Sequence, residues 1–382
     1  MNVTVAMGPW LPVPAVRGGA MPKVWHRLAR EFARLGHRVS IFARQFPGQP
    51  LEEHDAGVHI VRTRGYSQSG SVVRDLAKDF AYAIGVLPRL PPADIFVVND
   101  FWLPALAPWL RRSAGAVVVC AARYPKGQYR LYGRAARIIA ISTAVRDAIV
   151  AEQPALAQHA RVIPLPVDVE QIGRGAIADS AARDRDASGR RTLLYVGRVH
   201  PEKGIELLLH AFALVTGRFN QWRLRIVGPT AEEDGGGGQR FADTLRKRAQ
   251  GLAVDFNGPI FDADDLASTY RAADLFCYPS VADRGEAFGV APLEAMAAGV
   301  PPIVSALDCF RDFVEPGSNG WVFDHRAANP EGRLADVLAQ AMTDDAGRAR
   351  LSARARQDAA RFAYSAVAQR YVEEFQCILG SP

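Results

Sequence analysis

The sequence predicts an α/β protein of two doubly wound, Rossmann-like domains, and three observations carry that expectation. Short continuous apolar runs alternate with amphipathic segments, as parallel strands covered by helices on both faces do. The series occurs twice, on either side of residues 173–191, a stretch rich in Gly, Ala, Ser, Asp and Arg without apolar periodicity. A chain of 382 residues also exceeds the roughly 150 that one core commonly serves.

In chain order, Val3–Met7 reads as a buried strand, followed by a Gly/Pro loop and an amphipathic helix over Met21–Leu35 that Gly36-His37 ends. Strands follow at Val39–Phe42, Ile95–Val98, Ala116–Cys120 and Ile138–Ser142, with a helix over Ala105–Arg112. The second series has strands at Thr192–Val196, Leu224–Val227, Val254–Phe256, Leu275–Tyr278 and Pro302–Ser305. Between them lie helices near Ile205–Val215, Phe241–Gln250, Leu266–Ala273 and Pro292–Ala298, and Asp234–Gly238 reads as a mobile surface loop. Val367, Tyr371, Phe375 and Ile378 recur at helical spacing, so Ser365–Leu379 is a final helix. The domain boundaries expected are 1–169, 170–361 and, for a terminal helix packing back on the first domain, 362–382.

Half of the residues are hydrophobic (49%), 23% are charged and the mean hydropathy is −0.04. That composition excludes disordered, collagen-like and disulfide-stapled classes. Cys120, Cys277, Cys309 and Cys377 form no CxxC pair and read as buried free thiols. The amino terminus has no basic segment ahead of an apolar one, and no run reaches the roughly 20 apolar residues of a membrane span. The expectation is a cytoplasmic protein, peripheral at the inner face of the cytoplasmic membrane.

Two constellations carry chemistry. Gly197-Arg198-Val199-His200-Pro201-Glu202-Lys203-Gly204 joins a buried strand to a helix, at the carboxyl end where open α/β sheets bind ligands. A guanidinium and an ammonium there suit a diphosphate, and Lys203 is one of only five lysines among 46 basic residues. The second runs from Glu286 to Met296. Pro292 is tolerated only in a first helical turn, which starts the helix near Val290. The N–H groups of Phe288, Gly289 and Val290 then form an anion site, flanked by Glu286 in the loop and Glu294 on the second turn.

Gly-Arg-x-x-Pro-Glu-Lys-Gly, followed about 80 residues later by EAFGVAPLEAMAAGVP, resembles the retaining glycosyltransferases of family GT4, which have the GT-B fold of two Rossmann-like domains facing across a cleft. Gly317-Ser318-Asn319-Gly320 is a further match in the second half, and Gly18-Gly19-Ala20 adds one in the first half that is weak singly. The resemblance covers nearly the whole chain. It implies that Arg198 and Lys203 neutralise the leaving diphosphate of a nucleotide-sugar and that Glu286 holds hydroxyls of its sugar. It further implies that the amides of Phe288, Gly289 and Val290 touch sugar and phosphate, that Glu294 binds the ribose and that Gly228 frames the base. Gly18 and Gly19 resemble the loop that closes on phosphate and acceptor. The nucleotide-sugar is a co-substrate, and no cofactor or metal is expected.

Two departures stand out. Where many members carry a His after a strand like Val117–Cys120, this chain has Ala121-Ala122-Arg123-Tyr124, and the family's Asn-Gly before Val-Asp is Leu165-Pro166. Asp100, at the end of Ile95–Val98, is the leading candidate to assist the acceptor hydroxyl, with Asn99 second and Arg123 and Lys126 as further acceptor-side candidates; an N-cap or loop carboxylate is the competing reading of Asp100. Asp262-Ala263-Asp264 matches a metal-binding D-x-D but stands where a helix N-cap is expected, and the eight His form no ligand cluster.

Charge separates the halves. Residues 1–170 hold 21 basic and 12 acidic residues, net +9; the remainder holds 25 and 28, net −3. Arg123, Lys126, Arg130, Arg134 and Arg137 would share one face of a helix, behind the mixed segment Phe101–Arg112. An anionic membrane surface and a glycan or lipid-linked acceptor are the partners this suits, against the alternative of an ordinary basic face with Trp102 and Trp109 in the core. Nucleic acid is not expected, since no reading module is present. The functional expectation is hexose transfer from a UDP- or GDP-sugar in cell-envelope polysaccharide or glycolipid synthesis. The alternatives are transfer to a small soluble acceptor and a non-enzymatic two-lobed binding protein.

Overall fold

The computed structural model describes residues 1–16, 19–174 and 189–380; Gly18 and most of the 173–191 stretch lie outside them. Residues Met1–Pro166 with Tyr364–Pro382 form one unit, and Val167–Ala363 a second.

The first unit is built on an eight-stranded sheet: β1 (Asn2–Met7), β2 (Arg38–Arg44), β3 (Glu52–Asp55), β4 (Val58–Thr63), β5 (Ile95–Asn99), β6 (Ala116–Ala121), β7 (Arg137–Ala140) and β8 (Ala160–Val162). Their order is β3-β4-β2-β1-β5-β6-β7-β8, parallel except where β3 runs against β4. Central β1 is buried from Val3 to Met7, and its Val5 faces Ile41 of β2 on one side and Val97 of β5 on the other. β3 escapes a search for apolar runs because Glu52–Asp55 has no apolar residue, although β4 buries Val58, Ile60 and Val61; Ala56-Gly57, both at positive φ, makes the tight turn between them.

The helix Ala20–Arg34 buries Trp25, Leu28 and Phe32. The last helix, Tyr364–Gly380, lies against it, with Tyr371 edge-on to Trp25 at 5.3 Å and Phe375 to Phe32 at 5.8 Å. Those aromatic pairs fasten residues near the end of the chain to its first helix, and an Arg137–Glu374 ion pair fastens them to the start of β7.

The second unit holds a six-stranded, fully parallel sheet: β9 (Arg191–Val196), β10 (Trp222–Val227), β11 (Val254–Asn257), β12 (Leu275–Tyr278), β13 (Pro302–Ser305) and β14 (Trp321–Phe323), in the order β11-β10-β9-β12-β13-β14. The order reverses at β9, whose neighbours are β10 and β12. The β9–β12 ladder covers only Leu193 with Leu275 and Leu194 with Phe276. Beyond it the two strands pair only with their outer neighbours, β10 and β13, and part from each other toward their carboxyl ends, where a doubly wound sheet offers a crevice.

Several expectations need correcting. The basic run Arg123–Arg137 is not one helix: it passes through a single turn, Gln128–Leu131, before β7 begins at Arg137. Gly127 and Gly133 interrupt any helical pattern there. Trp109 is no core residue, being 58% exposed. Cys377 is exposed on the last helix, unlike buried Cys277 and Cys309, and none of the four cysteines forms a disulfide. Asp234–Gly238 is no untethered loop. Gly236 and Gly237 donate to Ala231 and Val199 carbonyls at 2.8 Å, which folds the glycines onto the loop after β9.

Candidate functional site

The loops after β9 and β12 meet at the switch point of the second sheet. After β9, His200-Pro201 opens a short turn, Pro201–Lys203, and Gly204 takes a left-handed conformation (φ 69°) to begin the helix Ile205–Thr216. A Cβ on Gly204 would stand 2.0 Å from the Pro279 carbonyl oxygen, so only glycine lets the two loops close on each other. After β12, Pro279–Gly285 leads to Glu286, and Gly289 (φ 79°) precedes the helix Val290–Ala297. A Cβ there would enter the Phe310 ring at 2.4 Å.

This closure brings Lys203 and Glu286, 83 residues apart, to 2.7 Å, with both side chains less than a tenth exposed. The Lys203 ammonium also stands 5.6 Å over the Tyr278 ring, which stacks on Tyr195 at 5.8 Å. Burial first, and then the Glu286 charge, raise the hydroxyl pKa values of both tyrosines well above the ordinary value, so they stay neutral donors. Arg198 is more open: its guanidinium donates to Glu202 at 2.7 Å and to the Gly235 carbonyl at 2.9 Å. Glu202 also lies 3.8 Å from Lys203. Glu294 accepts a hydrogen bond from Tyr270 at 2.8 Å.

Arg198, Lys203 and Glu286 therefore share one loop cluster; Gly289 and Val290 follow at the start of the next helix, and Glu294 lies on its second turn, bound to Tyr270. The Phe288 side chain packs into the core against Phe313 at 5.3 Å, leaving its amide as the part near the helix start. Gly228 follows β10 and packs directly on Gly197. Asp262 caps the helix Ala263–Arg271 by accepting from the Asp264 and Asp265 amides at 2.9 Å. Sequence reasoning missed Tyr195, Tyr278 and Tyr270, which look like ordinary apolar core residues, and assigned no role to Glu202, which stood in plain view within the motif.

The first unit has a site of its own, a pocket of about 500 Å³ lined by Asn99, Asp100, Arg123 and Gly19. It opens at the carboxyl ends of β1 and β5, again where the strand order reverses. Asp100, two residues before the N-cap Trp102, accepts from the Leu103 amide at 3.0 Å at the start of the helix Leu103–Leu110, and it also lines the pocket. Asp79, from the helix Val72–Val86, is a second carboxyl in the pocket wall that the sequence did not single out. Lys126 sits outside that lining, in a turn where its amide donates to Gln128.

Two family models match the chain: Glycosyltransferase Family 4 over residues 21–171 and Glycosyl transferases group 1 over residues 179–358. Among characterised proteins, the chain is 32% identical over 233 residues to a phosphatidyl-myo-inositol mannosyltransferase of Mycobacterium leprae, a match covering 59% of this chain and 58% of that protein. It is 32% identical over 257 residues to a D-inositol 3-phosphate glycosyltransferase of Frankia alni, covering 65% of this chain and 61% of that one. The matches thus span about six tenths of these relatives' lengths. Among solved structures, sucrose-phosphate synthase from Thermosynechococcus elongatus superposes with a TM-score of 0.77 over all of both chains at 22% identity. WaaG, a glycosyltransferase involved in lipopolysaccharide biosynthesis, superposes with 0.67, at 17% identity over 99% of this chain and all of that one. These likenesses establish the GT-B fold.

Proposed function

Because the chain belongs to the family 4, group 1 glycosyltransferases, we propose that it is a retaining, metal-independent hexosyltransferase that moves a sugar from a UDP- or GDP-sugar to a lipid-linked acceptor in glycolipid synthesis. The observation that carries this reading is the Arg198–Lys203–Glu286 cluster at the start of the helix Val290–Ala297. As the bond between sugar and diphosphate breaks, negative charge grows on the leaving group. Arg198, Lys203 and the first-turn amides supply fixed positive charge there, which is the work a metal would otherwise do. Glu286 and Glu294 are held by Lys203 and Tyr270, an arrangement suited to gripping hydroxyls rather than attacking a carbon. That favours attack by the acceptor on the face the diphosphate leaves, with retention of configuration.

The acceptor reading draws on the relatives named for phosphatidyl-myo-inositol and inositol 3-phosphate. A surface of the first unit supports a peripheral position at an anionic cytoplasmic membrane face. Trp109 and Leu110 stand about six tenths exposed, and the Arg134 guanidinium lies 3.6 Å over the Trp109 ring. The helix Val72–Val86 exposes Val72, Val73, Phe80 and Ile84. Apolar and cationic groups so mixed suit a headgroup region. No helix among the described residues is long and apolar enough to cross a membrane.

A thermal-shift panel of UDP, GDP, ADP and TDP with their common sugars tests the donor half. One nucleotide should raise the unfolding temperature by several degrees and so name the base; no response to any of them would sink the transferase reading. Co-sedimentation with anionic vesicles at low salt tests the surface, which absence of binding would refute.

A further inference from the structure

The pocket of the first unit contains more than a single candidate base. Asp79 is 4% exposed and accepts from the Trp102 amide at 3.2 Å, while Asp100 accepts from the Leu103 amide. Two buried polar atoms beside them, Nδ2 of Asn99 and Oδ2 of Asp100, have no hydrogen-bond partner. Folded proteins satisfy almost all such groups. Nδ2 of Asn99 can donate, and Oδ2 of Asp100 accepts when ionised and donates when protonated; a hydroxyl can answer either, since it gives one hydrogen bond and takes another.

The surroundings leave the carboxyls to that task. Tyr82, on the same helix as Asp79, donates to the Met7 carbonyl at 2.6 Å, and Tyr132 donates to the Phe101 carbonyl at 2.8 Å, so neither phenol is spent on the pair. The other titratable groups in the lining are Tyr129, Cys120 and Arg123. Burial first, then the opposing carboxyl, lifts the Asp100 pKa well above the ordinary carboxylate range; burial lifts that of Asp79 to about 6. Two like charges so placed retain a proton between them.

Resting on the transferase reading, we propose that this pocket binds a polyhydroxylated ring of the acceptor, and that Asp79 and Asp100 act as one unit orienting its reacting hydroxyl beside Asn99. The pair stands in for the histidine that many relatives carry after the strand corresponding to β6. With one proton held, it offers the hydroxyl both an acceptor and a donor. Below about pH 6 a second proton removes the acceptor, so acceptor use falls on the acid side.

The test measures acceptor-dependent turnover against pH for the full chain, with D-inositol 3-phosphate as a soluble probe and phosphatidylinositol vesicles as a lipid probe. Asp79→Asn and Asp100→Asn keep an oxygen for the Trp102 and Leu103 amides, so both should fold, and a nucleotide-induced thermal shift confirms it. Asp100→Asn should lower kcat/KM for the acceptor at least 10-fold at unchanged nucleotide shift. Asp79→Asn, by removing the carboxyl that takes up the second proton, should abolish the acid limb near pH 6. Turnover with one probe only identifies the free or the lipid-borne headgroup. Use of neither probe, or an acid limb retained in Asp79→Asn with an intact nucleotide shift, overturns the pocket assignment alone. Absence of any nucleotide shift in the unaltered protein overturns the transferase reading instead, and this assignment with it.

Discussion

Removing the Lys203 ammonium should unfasten the second unit before it affects anything else. Lys203 and Glu286 meet at 2.7 Å with side chains 6% and 9% exposed, so Lys203→Met leaves a carboxylate in a dry place without its cation. Breaking a buried pair in this way costs about 3–5 kcal/mol. A second route gives a similar figure. The carboxylate can escape by taking a proton, and holding one on a glutamate at pH 7 costs about 3.7 kcal/mol from its reference value near 4.3. For a unit of 197 residues, Val167–Ala363, that is a fall of about 8–15 °C in unfolding temperature.

The second route adds a signature that a mere packing defect lacks. The cost should shrink by about 1.4 kcal/mol per pH unit toward acid, reaching about 1 kcal/mol near pH 5. Lys203→Met with Glu286→Gln should recover most of the loss at pH 7, since no charge is then stranded. Thermal unfolding followed by circular dichroism at pH 7 and pH 5 is sufficient. A Lys203→Met loss below about 1 kcal/mol at pH 7, or one that does not shrink at pH 5, would refute the reasoning. So would a double variant showing the sum of the two single losses.

Three further outcomes are expected. Gly289→Ala forces a Cβ into the Phe310 ring from a left-handed φ of 79°, and should cost about 2 kcal/mol in urea unfolding and weaken donor binding. Tyr270→Phe removes the hydroxyl that holds Glu294 at 2.8 Å; it should raise KM for the donor several-fold at nearly constant kcat, by loss of one charge-assisted hydrogen bond. Asp79→Asn should stabilise the protein at pH 7. With a folded pKa of about 6 against 3.8 unfolded, the unfolded chain releases this proton first as pH rises. The contribution is therefore full below about pH 4 and lost by about pH 6. A melting temperature at pH 7 lower in the variant than in the unaltered protein would contradict it.

How much of this was legible depends on whether a feature is local. The strands β1, β5, β9, β10 and β12 and the helix at Val290 announce themselves through apolar runs and a proline position, each set within a few residues. Arg198, Lys203, Glu286 and Glu294 could be found because two short motifs at strand ends hold them. The Lys203–Glu286 contact could not be read, since 83 residues separate its partners and only the adjacency of β9 and β12 joins them. The β3–β4 hairpin was invisible for the opposite reason: a charged edge strand has no apolar pattern, and its register rests on the Ala56-Gly57 turn and on buried Arg62, which binds the Val13 carbonyl at 2.8 Å. Asp79 hid among helix-forming residues, and only the packing of its helix against Trp102 gives it a place in the pocket.

Net charge misled in an instructive way. The half carrying +9 places two carboxyls at its switch point, and the half carrying −3 places Arg198 and Lys203 at its own. Surface charges act over a Debye length of about 8 Å and are screened beyond it, so a domain's total says little about a pocket shielded from salt. Inside, each charge is set by what touches it. Lys203 has Glu286 at 2.7 Å and Glu202 at 3.8 Å, while burial governs Asp79, and burial with the Asp79 charge governs Asp100. The electrostatics of each switch point follow from the loop residues that the strand order gathers there. On the proposed function, the donor diphosphate belongs to the second unit, where Arg198 and Lys203 are held in place by carboxylates, and the proposed acceptor ring belongs to the first, where Asp79 and Asp100 take hydrogen bonds from backbone amides.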